Sequence, residues 1–151
     1  MEIIQAKAQD KGVLLMSNAL YDKAREKFLN GDLSWRDNTV KAVLVDAAGY
    51  TVNLAIHEFL SDVTESCRIS TSGAFASKTA TAGIADALDV TFTSVPAGNA
   101  CEAIIIFVDT GNQLTSSLIA YIDTATGLPI TPVGGNIIIT WSNGSEKIFK
   151  L

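Results

Sequence analysis

One short stretch near the N-terminus has apolar residues at helical spacing, namely Leu20, Ala24 and Phe28. Residues four apart lie on the same face of a helix, so this spacing predicts one apolar stripe. Ser17 or Asn18 can cap the start of such a helix by accepting a backbone N–H bond. Gly31 can end it because glycine tolerates the left-handed conformation. The sequence therefore predicts one short amphipathic helix over residues 18–29.

After this helix the apolar period falls from about 3.6 residues to 2, which indicates strands. Residues 88–92 alternate between apolar and polar side chains, as in a strand with one wet face. Residues 102–108 are almost continuously apolar, which predicts a strand buried on both faces. Further strands are predicted over residues 39–45, 67–72, 74–78, 117–122, 136–141 and 146–151. A hairpin at Asn143-Gly144 is expected to join the last two, and residues 79–86 are expected to form a loop.

Short strands separated by turn signals are typical of a sandwich or barrel. We therefore predict a mainly β fold, an antiparallel β-sandwich or barrel with one short N-terminal α-helix. The chain length of 151 residues suits one domain. We assign residues 16–151 to a single β-rich domain and residues 1–15 to an N-terminal arm. We expect Met1 to Leu15 to pack on a neighbouring chain rather than on its own core.

Composition and net charge limit the classes of partner that the protein is expected to bind. Hydrophobic residues make up 48% and charged residues 18%, which argues against disorder. This balance suits either a well-packed monomer or a homo-oligomer that buries surface against its copies. The net charge of −5 argues against a nucleic-acid partner, because phosphate binding needs a basic patch. No apolar run approaches the roughly 18–20 residues of a membrane span, and no secretory signal is visible, so we expect synthesis in the cytoplasm and no membrane partner.

Candidate catalytic residues are few. His57 is the single histidine, and a Ser–His–Asp triad would need it beside an acid such as Asp62 or Asp46, but no G-x-S-x-G motif accompanies it. The other aspartates that follow or precede strands are Asp86, Asp89, Asp109 and Asp123. Aspartate favours such places because its side chain bonds nearby backbone, and none follows a calcium-loop pattern. We expect no enzyme activity, no catalytic, cofactor-binding or metal-binding residues, and no cofactor.

The two cysteines, Cys67 and Cys101, are too few and too isolated for a zinc site. We expect both to be buried as small hydrophobic side chains, with a cross-strand disulfide in an assembled particle as the alternative. The large aromatic residues are Trp35, Trp141, Tyr21, Tyr50 and Tyr121. They are expected to anchor a core or an interface, and a sugar-binding shelf is the alternative.

Over residues 16–151 the chain resembles small structural proteins of tailed bacteriophages. The segments that carry the resemblance are ALYDKAREKFLNG at residues 19–31, Trp35, residues 40–46 and 50–53, HEFLSDV at residues 57–63, and LIAYIDTATGLPITPVGGNIIITW at residues 118–141.

The resemblance implies a virion structural protein made in the host cytoplasm. Within that group we favour a capsid decoration (cement) protein that binds and stabilises the head shell. Its partners would then be the major capsid protein or neighbouring virion subunits. The alternative is a tail or tail-fibre component that binds a receptor or glycan. A decoration protein needs a stable scaffold and an interface, for which about 1,200–2,000 Å² of buried surface is enough.

Overall fold

The computed structural model describes residues 2–6 and 18–151. Within them lie one α-helix, α1 (Asp22–Asn30), and two single-turn 3₁₀ helices, Leu60–Asp62 and Glu65–Cys67. The strands are β1 (Glu2–Ala6), β2 (Ala19–Leu20), β3 (Val40–Val45), β4 (Arg68–Thr71), β5 (Thr79–Thr81), β6 (Ile84–Asp86), β7 (Val90–Phe92), β8 (Ala103–Val108), β9 (Leu118–Ile122), β10 (Ile137–Trp141) and β11 (Phe149–Lys150). The chain is mainly β with one α-helix and a sandwich-like fold, as the sequence predicts.

A five-stranded antiparallel sheet forms the centre of the molecule, in the order β2-β9-β8-β3-β4. All six residues of β8 are buried, which confirms the prediction of a strand covered on both faces. Because side chains alternate along a strand, this sheet supplies two separate cores. Leu44 and Ile104 point into one core, and Val43 and Ile105 point into the other.

The first core lies between the central sheet and two three-stranded sheets, ordered β1-β10-β7 and β11-β6-β5. A chain of aromatic rings runs through it. Trp35 makes edge contacts with Phe75 and Phe149 at 5.9 and 5.2 Å between ring centroids, and Phe75 contacts Trp141 at 5.3 Å. The Trp35 indole also donates to the carbonyl of Asp86, so the ring is fixed in orientation. Edge contacts of this kind add about 0.5–1.5 kcal/mol each beyond burial.

The second core lies on the opposite face of the central sheet. There α1 and residues 50–67 cover the sheet, with Tyr21, Ala24, Tyr50, Val63 and Cys67 turned inward. The molecule therefore has three layers: α1 with its neighbouring connections, the central sheet, and the pair of smaller sheets. Because α1 and its neighbouring connections cover the second face of the central sheet, neither face is open to solvent. Both faces of the central strands are therefore apolar.

The N-terminal arm contributes a strand to its own chain. β1 pairs in parallel with β10, from Glu2 opposite Ile137 to Ala6 opposite Trp141, and Ile4 is fully buried in the first core. The expectation that the arm packs on a neighbouring chain is therefore wrong for residues 2–6. Burial of the apolar Ile4 side chain in the first core stabilises β1 on its own chain, so no neighbouring chain is needed to cover it. Met1 and residues 7–15 of the arm lie outside the described residues.

The helix begins later than its sequence predicts. Of the two residues proposed as caps, Ser17 lies outside the described residues. Asn18 lies before β2, where its side-chain oxygen accepts the backbone N–H groups of Asp123 and Thr124 at 3.0 Å. Tyr21 occupies the cap position without a side-chain bond. The C-terminal end of α1 agrees with the prediction. Gly31 has φ of 79°, and its N–H donates to the carbonyls of Lys27 and Phe28 in the last turn. Asn18 thus fastens β2 to the end of β9 instead of capping α1.

Four predictions in and around the smaller sheets are wrong in whole or in part. Residues 74–78 form no strand, and residues 79–86, expected as a loop, form the β5–β6 hairpin. Asn143-Gly144 does not join two paired strands, because β11 pairs with β6 rather than with β10. Leu88 is exposed outside its predicted strand, which is shortened to β7.

Candidate functional site

One surface of the molecule combines exposed apolar side chains with a rigid support. We call it the helix-side layer and define it as α1 together with the connections at residues 53–62 and 109–117. It carries three of the large hydrophobic residues that are most exposed, Leu29, Ile56 and Leu114, whose exposed fractions are 88%, 67% and 64%. Side chains of this kind gain about 1.5–3 kcal/mol each when they are buried fully. They are therefore available for contact with another macromolecule.

Lys27 ties the three parts of the helix-side layer together. Its ammonium lies 2.9 Å from the Glu58 carboxylate, donates to the Ser117 hydroxyl at 2.8 Å, and sits 4.2 Å from the centre of the Phe59 ring. Its side chain is only 19% exposed and that of Glu58 is 32% exposed, so water screens this pair less than a fully exposed one. Lys27 therefore acts as a fixed link between α1 and the two connections.

Backbone hydrogen bonds complete this support. The N–H of Asp22 donates to the carbonyl of Leu54 at 2.9 Å, which attaches the start of α1 to the first connection. The N–H groups of Leu60 and Ser61 donate to the carbonyls of Ser116 and Gln113, at 2.8 and 3.0 Å, which attaches the first connection to the second. The layer is thus bonded internally as well as packed on the second core.

Asp62 holds the turn of the first connection. Its carboxylate accepts the backbone N–H groups of Glu58 and Phe59 at 2.7 and 2.9 Å. Burial acts to raise the pKa of this carboxyl, but the two N–H groups and the nearby His57 outweigh burial, and the pKa lies below its usual value. The ionised form of Asp62 is therefore the one that fits the folded chain.

His57 ends a chain of hydrogen bonds that runs into the second core. Its Nδ1 accepts the backbone N–H of Asn53 at 3.2 Å, so the Tyr50 hydroxyl, at 2.8 Å, must donate to the same nitrogen. Tyr50 then accepts from the Tyr21 hydroxyl at 3.0 Å. Burial is the main cause that raises the pKa of both tyrosines, so both hydroxyls keep their protons. The chain has one direction, from the buried Tyr21 to His57 on the outside.

The triad considered from the sequence is not assembled. Its histidine would donate from Nδ1 to a carboxylate, whereas Nδ1 of His57 accepts from Asn53 and Tyr50. Asp62 is used by the backbone of the 58–59 turn, and Asp46 accepts from Ala48 and Asn99. Of the other four aspartates considered from the sequence, Asp86, Asp109 and Asp123 bond neighbouring residues or pair with lysine, and Asp89 accepts the backbone N–H of Trp141. Asp109, for example, lies 2.6 Å from Lys41 and accepts from Gly111, and the Lys41 bond is the main cause that lowers its pKa.

Both cysteines are free and buried, as expected, and they lie in different cores, with Cys101 in the first and Cys67 in the second. Burial raises the pKa of Cys101 to about 11. The five large aromatic residues are buried as well, which agrees with the core assignment and leaves no exposed ring for a sugar-binding shelf: Trp35, Trp141, Tyr21, Tyr50 and Tyr121.

Sequence reasoning missed the role of Lys27, which the pattern shows only as one cation in an amphipathic helix. Its partners Glu58 and Ser117 are 31 and 90 residues away, so no local signal marks them. The exposed position of Leu29 follows more directly from the sequence than the role of Lys27 does. It is next to Phe28 on the helix, and adjacent helical residues point to different faces.

Within residues 2–6 and 18–151, no group of three or more histidine, cysteine or acidic residues is placed to hold a metal ion. No helix in the same part of the chain is long and apolar enough to cross a membrane. No family model matches the sequence, and no curated protein matches it either.

Proposed function

We propose that this protein is a structural component of a tailed-phage virion, a capsid decoration (cement) protein that attaches to the head shell and stabilises it. The observation that carries the proposal is the helix-side layer, a rigid surface that presents Leu29, Ile56 and Leu114 to solvent. The resemblance of residues 16–151 to small phage structural proteins supplies the class of partner, an assembled protein shell.

Attachment works by burial of these side chains against the shell. The layer is held in place by Lys27 and by backbone bonds before binding, so little conformational entropy is lost when the contact forms. A shell offers many identical sites. A modest interface on each copy then suffices to cover the particle, and bridging of neighbouring shell subunits adds avidity. The net charge of −5 also favours protein over nucleic acid as the bound surface.

Two experiments test the proposal. In the first, an antibody against the protein is applied to purified virions, and label on the head is expected. Label on the tail would contradict decoration and support the tail or tail-fibre alternative, and absence of label would contradict both.

The second experiment locates the interface. Purified protein is added to shells from which it has been removed, and bound protein is measured after sedimentation. The variant Leu29→Ser/Ile56→Ser/Leu114→Ser is expected to bind about a hundredfold more weakly or worse, because it loses three buried apolar contacts. The control Val133→Ser changes a residue that is 74% exposed outside the helix-side layer, and it should bind normally. Equal binding by both variants would exclude this layer as the interface.

A further inference from the structure

A groove lined by both polar and apolar residues lies beside the two smaller sheets. It has two adjoining parts, of about 440 and 450 Å³, which share Asp86 and Asn143 in their walls. The first part lies between the β5–β6 hairpin and residues 143–147, and the second extends toward Leu88, Asp89 and Trp141. Each part alone has the volume of a small-molecule site, about 300–1,000 Å³.

The walls of the groove offer hydrogen-bonding groups that the fold itself leaves unused. Among the described residues, the side chains of Thr79, Thr81, Asn143 and Ser145 have no hydrogen-bond partner. These side chains are exposed to solvent, so they are free to bond a ligand that both donates and accepts hydrogen bonds.

The charges of the groove disfavour an anionic ligand. Asp86 and Lys147 lie 3.7 Å apart and largely cancel each other. Asp89 adds a negative charge, and its carboxylate accepts the backbone N–H of Trp141 at 3.0 Å. An anionic ligand would therefore meet net repulsion, and a cation would find one unbalanced carboxylate. A neutral ligand rich in hydroxyl groups can donate to the two carboxylates and accept from the lysine and amide groups.

Apolar surface lies beside these polar groups. Ile84 and the exposed Leu88 line the two parts of the groove, so the C–H face of a sugar ring has a surface to contact. From this combination we propose that the groove binds a neutral saccharide of one or two sugar units. This inference goes beyond attachment to a shell. Its test uses the isolated protein, so its failure would leave the attachment proposal standing.

The test is an NMR titration of the full chain with maltose, lactose, chitobiose and mannobiose, and with inorganic phosphate as an anionic probe. At least one disaccharide is expected to shift amide signals of residues 79–89 and 140–147 selectively, at about 10 mM, where a Kd near 1 mM gives almost full occupancy. No selective shift with any of the four, or a stronger shift with phosphate, would overturn the proposal.

Two variants with matched controls make the result specific. Asn143→Ala removes a side chain shared by both parts of the groove, and Thr81→Val removes a hydroxyl without changing shape. Each is expected to weaken binding about fivefold, as the loss of one hydrogen bond would. Asn30→Ala and Thr71→Val change exposed residues of the same types elsewhere, and they should leave the Kd unchanged. Weakening by the controls equal to that by the groove variants would also overturn the proposal.

Discussion

Among the glycines compared within the described residues, Gly49 leaves the least room for a side chain. A Cβ atom added at Gly49 would lie 2.5 Å from Sγ of Cys67, whereas ordinary contacts of a Cβ are 3.4–4 Å. Cys67 is buried in the second core, beneath the helix-side layer, and cannot move outward freely. Gly49→Ala therefore creates an overlap of about 1 Å within a packed region. We expect it to lower the free energy of unfolding by about 1–3 kcal/mol, as extra carbon atoms in a core do.

The measurement is urea unfolding of the isolated protein, followed by fluorescence and circular dichroism. The expected loss corresponds to a fall in Tm of about 2–4 °C per kcal/mol for a chain of this size. Gly98→Ala is the matched control, because a Cβ there meets nothing within 4 Å. That control should be neutral or slightly stabilising, since alanine restricts the unfolded chain.

A second substitution identifies the cause. Cys67→Ala removes the sulfur that the new methyl group meets, so the double variant should recover much of the stability lost in Gly49→Ala. The coupling free energy of this cycle is expected to be about 1–2 kcal/mol in favour of the pair. If Gly49→Ala is as harmless as Gly98→Ala, or if the two losses simply add, then the contact with Cys67 is not what requires glycine at this position.

Three further predictions concern the turn, the helix-side layer and the thiol. Ala82→Asn should stabilise the protein by about 0.5–1 kcal/mol in urea unfolding, because Ala82 has φ of 54° in the β5–β6 turn and asparagine tolerates this conformation better. Lys27→Met should cost about 1–3 kcal/mol, while Lys23→Met, whose ion pair with Glu26 is 41% and 58% exposed, should cost under about 0.5 kcal/mol. The raised pKa of Cys101, about 11, means that its thiol contributes stability below pH 9 that is lost as pH rises through 11. Between pH 9 and 11 the free energy of unfolding should therefore fall less in Cys101→Ala than in the unsubstituted protein. An equal fall in both proteins would contradict the assignment to Cys101.

The sequence predicted the central sheet well because its strands are long enough for their pattern to be read. β3, β8 and β9 are five or six residues long and rich in β-branched or aliphatic side chains. Their burial on both faces is visible as continuous apolar composition, which loops do not show. The C-terminal glycine of α1 was equally predictable, since the left-handed conformation is a local requirement that glycine meets.

The failures share a different cause, which is pairing between distant parts of the chain. β5 consists of Thr79, Ala80 and Thr81, all exposed, so it has no apolar face for a pattern to reveal. The turn signal at Asn143-Gly144 is local, but the partner of β11 is chosen by the burial of Phe149 against Trp35 in the first core. Asn18 likewise bonds residues more than 100 positions away. Long-range choices of this kind also decide both candidate sites, and for that reason neither was found from the sequence.

The two proposed sites lie in different layers of the fold, and this separation has a functional consequence. The helix-side layer covers one face of the central sheet, and the groove belongs to the small sheets that cover the other face. A protein attached through Leu29, Ile56 and Leu114 would therefore keep the groove open to solvent. Attachment and saccharide binding should then be independent. The same disaccharide should bind with equal affinity to free protein and to protein on the shell. Competition between the two would mean that the groove, rather than the helix-side layer, faces the shell.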